Sequence, residues 1–107
     1  MPIKSKRIHL IERYDRIIKV DDQIWECGGL LIPEPLAKKL LEGSLFFHNK
    51  RSEPSYFGGI ILNYRLEDKG KLKGMVVFTF EYRADHRYVS TEGIGWSKGR
   101  KVVGVKG

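Results

Sequence analysis

The residues of this chain best suited to catalysis or metal binding are three histidines, one cysteine and scattered carboxylates. His9, His48 and His86 lie far apart, and none has a Cys, His or carboxylate at a recognised ligand spacing. No metal site is therefore expected, and the histidines read as structural or solvent-facing. Asp85 and His86 are adjacent, which on a strand would point them to opposite faces. His48-Asn49 opens a histidine-asparagine-histidine nuclease pattern, but no second histidine completes it. Glu67-Asp68-Lys69 has the acidic-x-Lys spacing of some metal-dependent nucleases, yet it falls in an apparent surface turn. Cys27, just before Gly28-Gly29, reads as a small buried hydrophobe, with no identifiable general base to activate it. Gly93-x-Gly95 followed by Gly99 lacks the full glycine pattern of a phosphate loop. No cofactor follows from any of these residues.

Aromatic and basic residues carry more information. Phe46, Phe47, His48, Lys50, Arg51, Tyr56 and Phe57 cluster in one strand–loop–strand unit, with Ser52 and Ser55 between them. A second group holds Arg83, Arg87, Tyr88, Trp96, Lys98, Arg100 and Lys101. Holding an unpaired base takes a flat ring for stacking, polar groups for its edge and cations for the flanking phosphates. Both groups supply those ingredients. Phe46, Phe57, Phe78 and Phe80 suit plain core packing. Trp25, Tyr56, Tyr88 and Trp96 sit beside polar or glycine-rich segments, where a contact role competes with packing.

Composition bounds what can position these residues. The chain has 107 residues, 41% hydrophobic, and reads as one domain over residues 1–107. Lys and Arg number 20 against 13 Asp and Glu, a formal net charge of +7. The windows 1–19, 48–66 and 67–107 are net basic, while 20–47 is net acidic. Basic ends around an acidic middle suggest one electropositive side, which would draw polyanions through counterion release. The apolar runs are only a few residues long, against the ~20 that a membrane helix needs, so no membrane partner is expected. The basic start is followed by no apolar signal core, which with the lone cysteine points to the cytoplasm.

Local patterning outlines the elements. The first 19 residues fit two readings, a helical face of Ile8, Leu10, Ile11, Tyr14, Ile17 and Ile18, or a strand over Arg16–Val20. The second is favoured, with Asp21-Asp22 turning it into Ile24–Cys27 and Gly28-Gly29 ending it. Pro33 and Pro35, an apolar stripe of Leu36, Leu40 and Leu41, and Gly43 as a stop predict a helix over 33–43. Ser44–His48 and Phe57–Arg65 read as strands, the second interrupted at its start by Gly58-Gly59. Met75–Arg83 alternates, with Val76, Phe78 and Phe80 inward. A short strand is expected at Lys101–Val105. Several short strands with one clear helix predict an α+β fold, a small mixed β-barrel.

Across residues 36–65, the order of features resembles the PUA-like superfamily, especially its EVE and ASCH branches. The matching stretch is Leu40-Leu41-Glu42-Gly43-Ser44-Leu45-Phe46-Phe47-His48, the loop Asn49–Tyr56, and then Phe57-Gly58-Gly59-Ile60-Ile61-Leu62-Asn63-Tyr64. Where that family often has an acidic residue after the helix-ending glycine, this chain has Ser44. The resemblance implies a small barrel that binds RNA, or a modified base in DNA, through a pocket at its mouth. It would place His48, Asn49, Ser55 and Tyr56 near that pocket, with Trp25 on its wall. Combined with the aromatic–basic reading, the expected contact set is Trp25, His48, Asn49, Lys50, Arg51, Ser55, Tyr56, Arg87, Trp96, Lys98 and Arg100. The leading expectation is a noncatalytic nucleic-acid-binding module for RNA or DNA, selective for a modified or unpaired base. Two alternatives stand beside it. One is a small hydrolase of nucleosides or nucleic acid using Lys50, Glu53 or His48, and the other is a protein-interaction domain with a basic face.

Overall fold

In the computed structural model, residues 6–13 and 16–105 are described. Tyr14 of the helical alternative, and Lys4 and Lys106 of the basic ends, lie outside the described residues. The strands are β1 (Arg7–Ile11), β2 (Ile17–Asp21), β3 (Ile24–Leu30), β4 (Ser44–His48), β5 (Phe57–Leu66), β6 (Val76–Tyr82) and β7 (Arg100–Val103). One short helix, α1 (Glu34–Lys39), and a single 3-10 turn, Ala84–His86, complete the described elements. The strands form one sheet in the order β2-β3-β6-β5-β4-β1-β7. Every neighbouring pair is antiparallel except β1 with β4, which run parallel.

The barrel expectation is corrected here. β2 and β7 are the two ends of the sheet order and do not pair with each other, so the sheet is open. It still wraps one apolar core. Ile8 and Leu10, Ile17, Cys27, Leu45 and Phe47, Ile61, and Val76, Phe78 and Phe80 form one contiguous cluster with Ala37 and Leu40 of the helical segment. The alternation of β6 places Val76, Phe78 and Phe80 inward as the sequence predicts.

Local chemistry explains most elements. Pro33 caps α1 in an extended conformation and Pro35 sits in the first turn, where its missing N–H costs nothing. The helix is shorter than the 33–43 stripe, because Leu40–Gly43 must turn into β4 and Glu42 has a φ of 69°. The β2–β3 hairpin turns through Asp22 and Gln23, the latter at φ 60°. Two expectations at glycine pairs fail. β3 runs through Gly28-Gly29 to Leu30, with a bulge absorbing the irregularity between Cys27 and Leu30. β5 runs unbroken through Gly58-Gly59, paired with β4 on one side and β6 on the other.

β1 is the strand that sits between β4 and β7 and pairs with both. It was absent from the favoured sequence reading. Its register sets Leu10 opposite Phe47 and Arg100, and Ile11 opposite His48. The segment after β6, Arg83–Gly99, crosses the outer face of β4 and β1 before entering β7. That face is therefore a second, smaller buried layer.

Candidate functional site

Strand directions gather the expected contact residues at one end of the sheet. β1, β4, β6 and β2 finish there, and β3, β5 and β7 begin there. His48 ends β4, and Asn49, Lys50, Arg51, Ser55 and Tyr56 lie in the β4–β5 loop. Trp25 is the second residue of β3, Arg87 follows the 3-10 turn, and Trp96, Lys98 and Arg100 lead into β7. Convergence at one end does not make one pocket, because the sheet separates these side chains by face.

On the core face, the Tyr56 ring packs beside Phe47 at 6.4 Å and its hydroxyl donates to the Glu12 carbonyl at 2.6 Å. Trp25 meets Phe57 edge-on at 5.0 Å. On the outer face lie His48 and Trp96, perpendicular to each other at 5.5 Å. His48 and Tyr56 therefore do not share a cavity. Each fills a different layer, since consecutive strand side chains point to opposite faces.

The outer layer is built from histidines. His9 stacks on Phe46 at 4.7 Å, and Phe46 stacks on His86 at 4.8 Å, both at 15° between planes. All three histidines are buried, so of the two expected readings, structural or solvent-facing, the structural one applies. His48 Nδ1 lies 2.8 Å from the Glu53 carbonyl, which can only accept, so Nδ1 bears the proton. In the neutral ring Nε2 then accepts, and His9 Nδ1 donates to it at 2.9 Å. Among the described residues, that leaves His9 Nε2 as a bare lone pair without a partner, and Trp96 Nε1 and Arg7 Nε are likewise buried without one. Burial depresses the His9 pKa to about 4, aided by His48, Arg7 and Lys101 nearby. Burial also lowers that of His48, against the opposing pull of the Glu53 carbonyl. The expectation that Asp85 and His86 diverge is corrected as well. In the 3-10 turn His86 Nδ1 donates to Asp85 Oδ1 at 2.7 Å, while Nε2 lies 2.9 Å from Ser44 Oγ.

Ser55 is a structural pin. It is almost wholly buried, its hydroxyl donates to the His86 carbonyl at 2.6 Å, and it accepts from the Val89 N–H at 3.0 Å. His48, Ser55 and Trp96 present almost no surface in this conformation and position other groups instead. Burial pushes the Cys27 thiol up to about 12, consistent with its expected role as a small hydrophobe. No cluster of three His, Cys, Asp or Glu that could hold a metal occurs among the described residues.

Sequence reasoning did not single out a cleft of about 490 Å³ between the β1–β7 end and the segment that closes β3. Leu10, Leu30 and Ile32 form its floor, Ile11, Leu31 and Pro33 its walls, and Lys98 and Arg100 part of its rim. Leu31 is 75% exposed, and its carbonyl accepts a hydrogen bond from Arg100 Nη1. Lys98 and Gly99 both have positive φ, at 53° and 79°, and form a tight turn closed by two bonds between Ser97 and Arg100. The Gly99 carbonyl accepts from the Ile11 N–H at 2.9 Å, which fastens this turn to β1. The signal for the cleft is the exposed Leu31 between Gly29 and Pro33, readable only once β1 and β7 are known to pair. No helix among the described residues is long and apolar enough to cross a membrane. Comparison with family models, curated proteins and solved structures gives no match.

Proposed function

We propose that this chain is a noncatalytic nucleic-acid-binding module that takes an unpaired stretch of RNA or DNA at the β1–β7 end of the sheet. The pairing of β1 with β7 carries this reading, since it sets the basic N-terminal segment beside the basic C-terminal one. Arg13, Lys50, Arg51, Lys98 and Arg100 are thereby collected around one end of the sheet. A phosphate backbone is attracted to such an end by counterion release, and the apolar cleft beside it accepts an unstacked base. The PUA-like resemblance over 36–65 points to the same class of ligand, including a modified base, though the open sheet departs from the barrel it implies.

The test is fluorescence anisotropy with a labelled single strand of about ten nucleotides and its duplex. Lys50→Gln, Arg51→Gln and Lys98→Asn remove charge from exposed positions, asparagine being chosen because it tolerates positive φ. The triple variant should bind more weakly, with a log–log salt slope flatter by about 0.7 per lost contact. Leu31→Asp should weaken single-strand binding more than duplex binding. Binding unaffected by all four substitutions overturns the reading. Equal competition by an acidic polypeptide would favour the protein-interaction alternative. A product formed from the oligonucleotide would favour the hydrolase.

A further inference from the structure

The outer layer satisfies the ring nitrogens of its histidines unevenly. His86 has an acceptor facing each ring nitrogen, the Asp85 carboxylate and the Ser44 hydroxyl. His9 and His48 do not. Facing them are Arg7 from β1, Lys101 from β7, the Glu53 carbonyl from the β4–β5 loop, and Trp96 from the crossing segment. Among the described residues neither ring has a carboxylate partner. A proton arriving at His9 Nε2 makes a buried imidazolium beside two cations. A second proton, on His48 Nε2, turns the 2.9 Å nitrogen pair from donor–acceptor into donor–donor.

The crossing segment is also fastened unevenly. Its first half is held by Ser55, through Ser55 N to Val89 O, Tyr88 N to Ser55 O, and both hydroxyl bonds. Its second half, Ser90–Ser97, has one buried apolar side chain, Trp96, which rests on His9 and His48. Ile94 is 81% exposed, and Lys101 Nζ donates to the Glu92 carbonyl at 2.7 Å.

We propose that the β6–β7 connection is an acid-released strap: protonation of the His9–His48 pair expels Ser90–Ser97 with Trp96, while the Ser55-pinned half and the main core stay in place. The sign follows from linkage. A group whose pKa is lower in the closed state than in the open one stabilises closure above the open-state value and loses that contribution as pH falls. With His9 at about 4 when closed and 6.5 when open, the open-to-closed ratio rises, relative to pH 7, about 20-fold by pH 5 and about 100-fold by pH 4. The main core lies on the other face of the sheet and contains no histidine, so it has no such protonation to resist.

Trp96 emission, followed from pH 7 to pH 4 in a Trp25→Phe background, reads the strap. Amide exchange at Phe78 and Phe80 reads the core. Below about pH 5 the Trp96 emission should shift to that of a solvated indole while Phe78 and Phe80 remain protected. Arg7→Gln removes one facing cation and should move the midpoint down by about half a pH unit. His9→Asn should move it further, and Arg7→Gln carries the test if that variant does not fold. Three results overturn the proposal: a Trp96 that stays buried to pH 4, exposure that coincides with loss of β6 protection, and a midpoint indifferent to Arg7→Gln.

Discussion

Gly59→Ala tests how tightly the central strands constrain the sheet that carries the proposed binding end. A methyl at Gly59 would lie 1.9 Å from the Glu81 carbonyl oxygen, 2.7 Å from its carbon and 3.0 Å from Tyr82 Cα. All three are backbone atoms of β6, so no side chain can swing away. Moving that oxygen out to 3.0 Å, the closest approach real Cβ atoms tolerate, opens β5 from β6 by about 1 Å. A ladder bond of ordinary length stretched that far is no longer a hydrogen bond. The pairs at risk are Gly59 with Tyr82 and Ile60 with Glu81. Two backbone bonds broken around a buried glycine cost roughly 1–3 kcal/mol each, so the expected loss is about 4 kcal/mol. That is a large share of the roughly 5–15 kcal/mol that stabilises a domain. Urea unfolding followed by circular dichroism measures it, with an unchanged slope showing that the midpoint shift is stability alone. Gly93→Ala is the control, since a methyl there meets nothing within 4 Å. It should be neutral or stabilising by up to about 1 kcal/mol. A Gly59→Ala loss below about 1 kcal/mol would refute the steric argument.

Phe78→Ala should cost about 3–5 kcal/mol, measured the same way, because the ring is fully buried in the main cluster. A loss under about 1 kcal/mol would mean that the alternation of β6 faces the other way. Ser55→Ala removes two buried hydroxyl bonds and should lower stability by roughly 2 kcal/mol while raising amide exchange at Val89. Cys27, fully buried with its thiol pushed up to about 12, should resist a thiol-labelling reagent at pH 8 and react fully in urea. Rapid labelling of the folded protein would contradict the burial.

How much of this was legible in the sequence differs by element. β6 was, because Val76, Phe78 and Phe80 alternate without interruption and the core takes that face. The α1 start was, because two prolines and a glutamate mark a first turn. β1 was not. Ile8, Leu10, Ile11, Ile17 and Ile18 satisfy the helical and the extended period alike, and the choice is made by β4 and β7, distant in sequence. The glycine pairs misled for a physical reason. At Gly58-Gly59 the absent side chain lets neighbouring backbones approach closely, so glycine marks the middle of a sheet instead of a break. The histidine layer was hidden by separation, His9 and His48 being 39 residues apart. One hint existed in β4, where Ser44, Phe46 and His48 alternate with Leu45 and Phe47, a pattern that leaves a second face needing cover.

Amide chemical-shift mapping with a short single-stranded oligonucleotide tests the proposed binding end most directly. The account predicts saturable, salt-sensitive changes at residues 10–13, 29–33 and 98–101 around the cleft, and at 49–51 in the β4–β5 loop. Changes centred on the Asp21–Gln23 turn, or none at low salt, would contradict it.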